Sequence, residues 1–221
     1  MISIIIPTLN EANEIEATLE PLQKFRKNHI EIIIADGGSH DATLALATPY
    51  ADRLIHASRG RARQMNAGAA IAQGQTLLFL HADSRLEEAA LFQVTPNMIW
   101  GRFDIHLDSN RRIYRVIEYL MNKRSCITGI ATGDQGLFVQ HKIFHAIQGF
   151  PEIPIMEDIA ISRQLKHYAK PACLKPTIHA SPRYWETHGI YRSILTMWAL
   201  RFAYFIGISP DILVSLYYRK K

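Results

Sequence analysis

A carboxylate ends an apolar run in the first half of the chain. Residues 77–80 are apolar, and His81, Ala82 and Asp83 follow them directly. A carboxylate at the end of a buried strand can hold a divalent cation, since Mg²⁺ is typically bound by one or two carboxylates together with substrate phosphates. The alternative is an Asp that caps a helix over residues 87–92. This pattern alone does not separate the two interpretations.

Asp36 ends a second apolar run in the same way. It follows residues 31–35 and precedes Gly37, Gly38 and Ser39. The glycines allow a tight turn or the close approach of a ligand, and the carboxylate can accept hydrogen bonds from a base or a ribose. An ordinary Asp-Gly turn is the competing interpretation.

Two further groups of charged residues could bind a substrate or react with it. Arg59, Arg61 and Arg63 are spaced two apart, so they would not share a face of a regular helix, but on a loop that feeds a helix they could grip a diphosphate. A solvated basic face is the alternative. Glu157 and Asp158 precede a helical pattern and offer either a general base or an acidic first turn that the helix dipole favours.

Composition indicates one folded domain with a modest basic excess. Of 221 residues, 48% are hydrophobic and 20% are charged, so a core is expected and disorder is not. The net charge of +5 favours anionic partners. Cys126 and Cys173 form no metal-binding or disulfide pattern, which predicts a reducing, cytoplasmic location. The first residues predict a strand and not a signal peptide. Of the ten histidines, only His81 is expected to share a site with another candidate ligand, Asp83, so a zinc enzyme is not expected.

Alternating strands and helices are expected to position these residues. Helical patterns separate four short apolar runs, at residues 3–6, 31–35, 54–56 and 76–80, and the first helix is expected to continue to about residue 25. Because the runs are apolar throughout, we expect an α/β fold with a mainly parallel sheet covered by helices on both faces. Ligands bind beyond the carboxyl ends of the strands in such sheets, where Glu11, Asp36 and Asp83 converge.

The pattern is less regular after residue 87. Residues 100–107 alternate in part, which predicts an exposed or antiparallel strand. Helices are predicted over residues 113–123 and 159–168, and a Gly-rich stretch at 133–136 precedes an apolar strand.

The last part of the chain is rich in aromatic and aliphatic residues. Residues 190–208 have the length of a membrane span, but Arg201 would lie near the middle of the bilayer at a cost of roughly 2.5 to 3.5 kcal/mol. We therefore reject a spanning helix. Two alternatives stay open: a helix that rests on anionic lipid, which the basic residues 219–221 fit, and a helix packed on the domain or on a second subunit, which we prefer.

Six stretches together resemble the family-2 glycosyltransferases with the GT-A fold, and their order and spacing agree across about residues 1–170. The stretches are ISIIIPTLNE (2–11), IIIADGGSHD (32–41), GRARQMNAGA (60–69), LLFLHADS (77–84), GDQGLFV (133–139) and MEDIAISRQLK (156–166). The wording of the third and fourth is closest to a small bacterial "transferase 2" branch that is associated with radical-SAM and selenium-related genes.

The resemblance implies a role for each matching residue. The nucleotide-binding positions are Pro7, Thr8, Glu11, Asp36, Arg59, Arg61, Arg63 and His81. The acceptor-side positions are Gly133, Asp134, Gln135 and Glu157. Asp83 matches the last residue of the DXD motif, which holds Mg²⁺ or Mn²⁺, and Asp158 matches the catalytic base of the ED motif.

Two departures from the family pattern limit these implications. The DXD motif is His81-Ala82-Asp83, so its first carboxylate is a histidine, which weakens any implied ribose contact and bears on metal choice. The QxxRW motif of processive members is absent, since residues 183–185 match it only faintly. A single transfer is therefore favoured over polymer synthesis.

The resemblance thus implies a Rossmann-like GT-A domain over residues 1–188 and a C-terminal helical extension over residues 189–221. The implied activity is metal-dependent, inverting transfer of a sugar from a nucleoside-diphosphate sugar, with UDP-sugars favoured, to an acceptor hydroxyl. We expect a cytoplasmic enzyme without a nucleic-acid partner, whose C-terminal helices contact a second copy or the inner face of the membrane.

Two other functions were weighed against this one. A sugar-nucleotide nucleotidyltransferase usually has a Gly-rich loop after the first strand, where this chain has PTLNE. A non-catalytic nucleotide-sugar binding protein would not need both Asp83 and Asp158, but the histidine at position 81 keeps this alternative open. The lack of GxGxxG argues against an NAD-dependent dehydrogenase.

Overall fold

Strands of one mixed sheet form the centre of the computed structural model, which describes residues 1–28 and 30–218. In chain order the described strands are β1 (Ile2–Thr8), β2 (Ile30–Asp36), β3 (Arg53–His56), β4 (Thr76–Phe79), β5 (Ser84–Leu86), β6 (Trp100–Leu107), β7 (Leu137–Gln140) and β8 (Ala172–Ala180). Their order across the sheet is β3-β2-β1-β4-β7-β6-β8-β5.

The half of the sheet formed by the first strands is parallel, as expected. β1 pairs in parallel with β2 and β4, and β2 pairs in parallel with β3. The register places Thr8 opposite Asp36, so the two loops that follow β1 and β2 start side by side. β7 reverses direction and pairs antiparallel with both β4 and β6.

Ten α-helices and three 3-10 helices of the described part accompany this sheet. The α-helices are α1 (Ile15–Leu19), α2 (Thr43–Ala47), α3 (Arg61–Ile71), α4 (Glu88–Gln93), α5 (Arg112–Thr128), α6 (His141–Ala146), α7 (Glu157–Leu165), α8 (Arg183–His188), α9 (Ile190–Phe205) and α10 (Pro210–Tyr218). The 3-10 helices are Glu20–Asn28, Thr48–Tyr50 and Gly133–Gln135.

The apolar strands fill a core on both faces of the sheet. Ile4 and Ile6 of β1 lie in the cluster on one face, whereas Ile5 lies in the cluster on the other. Because successive side chains of a strand point to opposite faces, both faces of β1 must be covered, which explains the continuous apolar run.

Two strands were not predicted from the sequence. β8 contains Lys175 and Pro176, which interrupt its apolar pattern. The register between β6 and β8 shifts between Phe103 and Asp104, which pair with Leu174 and Thr177. Lys175 and Pro176 therefore have no partner on β6, and Pro176 does not have to donate a ladder hydrogen bond. β5 has three residues and follows Asp83 directly.

Two local predictions need correction. The first helix was expected to continue to about residue 25, but α1 ends at Leu19 and a 3-10 helix follows, because Pro21 lacks the amide hydrogen that an α-helix requires. Residues 100–107 were expected to form an exposed or antiparallel strand. β6 is largely buried, since Trp100 is 1% exposed, and it pairs antiparallel with β7 but parallel with β8.

The prediction of unpaired cysteines is wrong. Cys126 at the end of α5 and Cys173 on β8 form a disulfide, with their Cα atoms 6.0 Å apart. They are 47 residues apart in sequence and are brought together only because α5 and β8 both pack beside β6. The two cysteines therefore no longer indicate a reducing compartment.

The C-terminal helices pack on the rest of the chain. Leu200 of α9 and Leu213 of α10 are buried in a cluster with Met156 and Ile159 at the start of α7. No helix in the described ranges is long and apolar enough to cross a bilayer. The basic residues 219–221, which entered the lipid argument, lie outside the described residues.

Candidate functional site

The loops after β1 and β2 are joined by the Asp36 carboxylate. Asp36 is fully buried and accepts hydrogen bonds from the Gly38 amide at 2.8 Å, the Ser39 amide at 2.9 Å and the Thr8 hydroxyl at 3.2 Å. Burial raises the pKa of Asp36, but the hydrogen bonds from Ser39, Gly38 and Thr8 lower the pKa by a larger amount. The pKa of Asp36 therefore lies below its usual value. In this structure the carboxylate therefore fixes the shape of the loop, and its contact with a base stays a prediction.

Gln64 holds the ends of the same two strands from the opposite side. Its side-chain amide donates to the Thr8 carbonyl at 2.7 Å and to the Ala35 carbonyl at 2.9 Å. A Cβ at Gly37 would lie 2.9 Å from Gln64, which explains a glycine there. Gln64 was not predicted as a site residue, although an amide among the apolar residues of the buried face of α3 is a signal that the sequence contains.

The three arginines of the GRARQMN stretch do not converge on one point. α3 begins at Arg61, so the predicted loop is already helical there. Arg61 pairs with Glu157 at 3.3 Å, and Arg63 pairs with the exposed Glu152 at 3.1 Å. Arg59 lies on the exposed loop before the helix. Of the three, Arg61 contacts an acceptor-side residue, Glu157, and its charge lowers the pKa of Asp134.

His81 bridges the loop after β4 to the loop that follows α5. Its Nδ1 lies 3.2 Å from the Asp134 carboxylate, and the His81 side chain is 13% exposed whereas that of Asp134 is 51% exposed. Partial desolvation raises the pKa of Asp134, but the hydrogen bond from His81 and the charges of His81, Arg61 and Arg201 lower the pKa by more, so it lies below its usual value. The histidine that replaces the first carboxylate of the DXD motif therefore has a defined partner.

Gly133 provides the space for the His81 ring. A Cβ at Gly133 would lie 2.5 Å from two atoms of that ring, which is closer than non-bonded atoms can approach. Gly133 does not have a positive φ, so its backbone conformation is open to other residues and the constraint is purely steric.

We therefore expect Gly133→Ala to displace His81, to break its pair with Asp134 and to lower the free energy of unfolding by about 1–3 kcal/mol, as overpacking does. Urea unfolding of the single variants and of Gly133→Ala/His81→Ala measures this. In the His81→Ala background the ring is absent, so adding Gly133→Ala should change the free energy of unfolding little. An equal cost in both backgrounds would show that the ring is not the obstacle.

Asp83 is a half-buried carboxylate without a partner. Among the described residues it accepts no hydrogen bond and forms no ion pair. Glu11 lies close to it: burial raises the pKa of Glu11, Asp83 raises it further, and Arg183 opposes both. Arg183 of α8 lies 3.9 Å from Glu11 and 3.3 Å from Glu14.

These groups fit a divalent cation. An unpaired carboxylate beside a second carboxylate whose pKa is raised gains from a positive charge between them, and oxygen is the ligand atom that Mg²⁺ and Mn²⁺ prefer. Thus the donor set around Asp83 suits the metal that the resemblance implies. Arg183, which was noted only as part of a faint motif, adds a cation at the edge of this group.

Asp158 lies at the start of α7, facing the loop that carries Gly133. It accepts a hydrogen bond from the Gly133 amide at 3.3 Å, while its neighbour Glu157 is 5% exposed and pairs with Arg61. Burial raises the pKa of Glu157, and the Asp158 charge adds to this effect while Arg61 opposes it. The two acidic residues therefore differ: Glu157 is enclosed, and Asp158 is accessible at the loop.

Two further arginines reach this region and were missed from the sequence as site residues. Burial lowers the pKa of Arg124 on α5 to about 10, the charge of Arg201 lowers it as well, and Asp158 opposes the shift. One guanidinium nitrogen of Arg124, Nη2, is buried without a hydrogen-bond partner. Arg201 belongs to α9 and also acts on Asp134. The C-terminal extension thus contributes charge to the candidate site.

The remaining predicted residues have supporting positions. Pro7 precedes Thr8 at the end of β1 and is partly buried. Gln135 is fully buried and its amide contacts Ser125 at 3.0 Å and Asn122 at 3.3 Å, so its side chain ties the loop to α5.

A second histidine cluster lies elsewhere. His106, Asp108 and His179 offer ligand atoms within 4.8 Å of one another at the ends of β6 and β8. This cluster corrects the expectation that His81 is the one histidine with a carboxylate close enough to share a site. No local pattern predicts it, because the three residues meet only through strand pairing. Arg85 pairs with Asp108 and Arg115 contacts His106, so cations already occupy its neighbourhood.

An apolar cavity of about 280 Å³ lies at the amino ends of the parallel strands, opposite the candidate site. Its lining includes Ile2, Ile30 and Thr76, the first residues of β1, β2 and β4. It is therefore separate from the charged groups at the carboxyl ends.

The fold is that of the GT-A glycosyltransferases, as the sequence analysis predicted. The chain is similar to TarS 1-349 of S. aureus in complex with UDP-GlcNAc, with a TM-score of 0.66 and 18% identity over 81% of this chain and 58% of that one. It is also similar to the mannosyltransferase PcManGT of Pyrobaculum calidifontis in complex with GDP-Man and Mn²⁺, with a TM-score of 0.62 and 19% identity over 91% of this chain and 60% of that one.

Sequence comparison gives the family. A PGL/p-HBAD biosynthesis glycosyltransferase of Mycobacterium bovis (strain BCG / Pasteur 1173P2) is 42% identical over 96 residues, which are 40% of this chain and 38% of that protein. This chain therefore spans less than half the length of that curated relative. The model of the family described as "Glycosyl transferase family 2" matches residues 3–150, about two thirds of the chain. The chain thus belongs to glycosyl transferase family 2.

Proposed function

We propose that this protein is a glycosyltransferase that moves a sugar, with inversion, from a nucleoside-diphosphate sugar to an acceptor hydroxyl, and that it depends on Mg²⁺ or Mn²⁺. The observation that carries the proposal is the unpartnered Asp83 carboxylate, joined through the neighbouring His81–Asp134 pair to the loop that contacts Asp158. A donor diphosphate group and an acceptor hydroxyl would then meet between Asp83 and Asp158.

Asp83 would hold the divalent cation, with Glu11 beside it. When bound, such a cation neutralises negative charge on the departing nucleoside diphosphate. Arg183 and Arg61, whose charges lie next to Glu11 and Asp134, would add to the positive potential on the donor side.

Asp158 would act as the general base. It would accept the proton of the acceptor hydroxyl while the acceptor oxygen forms a bond to the anomeric carbon. The bond from that carbon to the diphosphate oxygen breaks, and its electron pair leaves with the nucleoside diphosphate. Attack from the side opposite the leaving group inverts the anomeric centre. The Gly133 amide, which donates to Asp158, would hold the carboxylate in position.

A uridine nucleotide is the favoured donor. The resemblance places Asp36 at the base, and the TarS complex contains UDP-GlcNAc. The Pyrobaculum complex contains GDP-Man with Mn²⁺, so guanosine nucleotides belong in the test.

A panel of nucleotide sugars, scored by thermal shift with and without Mn²⁺, tests the donor class. At a concentration about 100 times Kd, the correct donor should raise Tm by roughly 5–10 °C, and only with the metal. UTP and GTP with sugar 1-phosphates form the control arm. Stabilisation by a nucleoside triphosphate but by no nucleotide sugar would contradict the proposal and favour a nucleotidyltransferase.

A further inference from the structure

The outer face of α9 carries a continuous stripe of exposed apolar side chains. The stripe consists of Tyr191, Leu195, Trp198, Phe202 and Phe205, each 65% to 77% exposed. Their spacing of three or four residues places all five on one side of the helix. Ile206, Ile212 and Leu216 continue the apolar surface toward and along α10 with 49% to 59% exposure.

The stripe is not a face that the domain itself covers. The opposite side of α9 is already packed, since Ser193 is 1% exposed and Leu200 is 6% exposed. Ile190 and Ile194 pack against Tyr114 and Ile117 of α5. Both sides of the helix are apolar, and the inner side alone holds it in place. An exposed apolar patch of this size indicates an interaction surface.

The exposed charges of α9 and α5 are basic, whereas two exposed acidic residues, Asp211 of α10 and Glu186 of α8, lie at the margin of this surface. α9 contains no acidic residue, and its exposed charge is Arg192. The adjacent α5 exposes Val116, Tyr119, Leu120 and Ile127. The exposed charged residues of α5 are Arg112, Arg115 and Lys123, whereas its acidic residue, Glu118, is 8% exposed.

We infer that α9, with α5 beside it, docks on an anionic lipid bilayer. A helix with apolar and aromatic residues on one side and cations at its margin binds at the bilayer interface through both effects. A second copy of this chain fits less well, because a two-fold interface would bring the same patch against itself and so place the cations of one copy against those of the other. This inference does not depend on the proposed function.

Flotation with vesicles of phosphatidylglycerol and phosphatidylcholine tests the inference on the full chain. We expect wild-type protein to float with vesicles rich in phosphatidylglycerol and to stay unbound with pure phosphatidylcholine. Trp198→Ser/Phe202→Ser should lower the partition coefficient by about tenfold or more, because two exposed aromatic groups no longer enter the interface. Arg192→Glu should lower it by about fivefold or more, through charge reversal at the anionic surface.

Phe92→Ser is the matched control, since Phe92 is 66% exposed on α4, outside both docking helices. It should float as the wild type does. Circular dichroism checks that each variant is folded.

The emission of Trp198 gives a second measurement that needs no destabilising variant. Trp198 is 70% exposed, whereas Trp100 is 1% exposed and Trp185 is partly buried, so insertion of the stripe should shift the wild-type emission to shorter wavelength when anionic vesicles are added. Trp198→Phe should remove the shift. No flotation and no shift with anionic vesicles would overturn the inference, as would a stable dimer without lipid in which Trp198 emission is already shifted.

Discussion

Asp158→Asn should bind the nucleotide-sugar donor with unchanged affinity and lose sugar transfer by about 10²-fold or more, the usual size of a lost general base. Asparagine has the same shape and keeps an oxygen that can accept the Gly133 amide, so the loop should stay in place. The amide cannot take up the acceptor proton. Calorimetry gives the donor affinity, and nucleoside diphosphate release gives the rate, with water as the acceptor until the true one is known.

The competing interpretation of Asp158 is an acidic first turn that stabilises its helix. Asp211 is a matched control, because it occupies the first turn of α10, is exposed, and is distant in sequence from the site residues. Asp211→Asn should leave the rate within about twofold of wild type, since helix-dipole effects act on stability and are small. If both variants keep the wild-type rate, the base assignment fails and Asp158 serves the helix only.

Asp83→Ala should reduce the affinity for nucleoside diphosphate in Mn²⁺ to the affinity measured without metal. The alanine removes the unpartnered carboxylate that would hold the cation. It also removes the negative charge that raises the pKa of Glu11, so the fold should be as stable as wild type or slightly more stable. Calorimetry with and without Mn²⁺ measures the first effect, and thermal unfolding measures the second.

The His106, Asp108 and His179 cluster supplies the control for metal binding. Asp108→Ala should keep the metal dependence of nucleotide binding, because Asp108 lies in the separate cluster and pairs with Arg85. The opposite pattern, with metal dependence lost in Asp108→Ala and kept in Asp83→Ala, would move the cation to the histidine cluster.

The parallel half of the fold was predictable because its strands are short apolar runs that end in polar residues. Ile32, Ile33 and Ile34 alternate between two buried faces, and a run of this kind fits only a covered sheet. β8 was not predictable in the same way. Its Lys175 and Pro176 disrupt the pattern, and only the irregular pairing with β6 makes room for them.

Some residues of the candidate site were predictable from local sequence, and others were not. Asp83, His81 and Asp158 stand next to strand or helix ends, so local sequence placed them. Arg124 and Arg201 come from helix interiors, and their charges reach Asp134 and Asp158 only because α5 and α9 pack beside the site. Arg201 in particular was considered only as an obstacle to membrane insertion, since no local pattern relates it to Asp134.

The cysteines show the same limit in another form. A spacing of 47 residues carries no information about proximity, and the disulfide follows from the packing of α5 and β8 beside β6. Fold-level contacts between distant segments are therefore what the sequence patterns left out.

The anomeric configuration of the first product tests the central claim most directly. The donor identified in the panel is incubated with the enzyme and Mn²⁺, and proton NMR follows the sugar as it is released to water. Single displacement with Asp158 as base predicts that an α-linked donor yields the β-anomer first, before mutarotation mixes the two forms. Initial release of the α-anomer would contradict inversion and with it the role of Asp158.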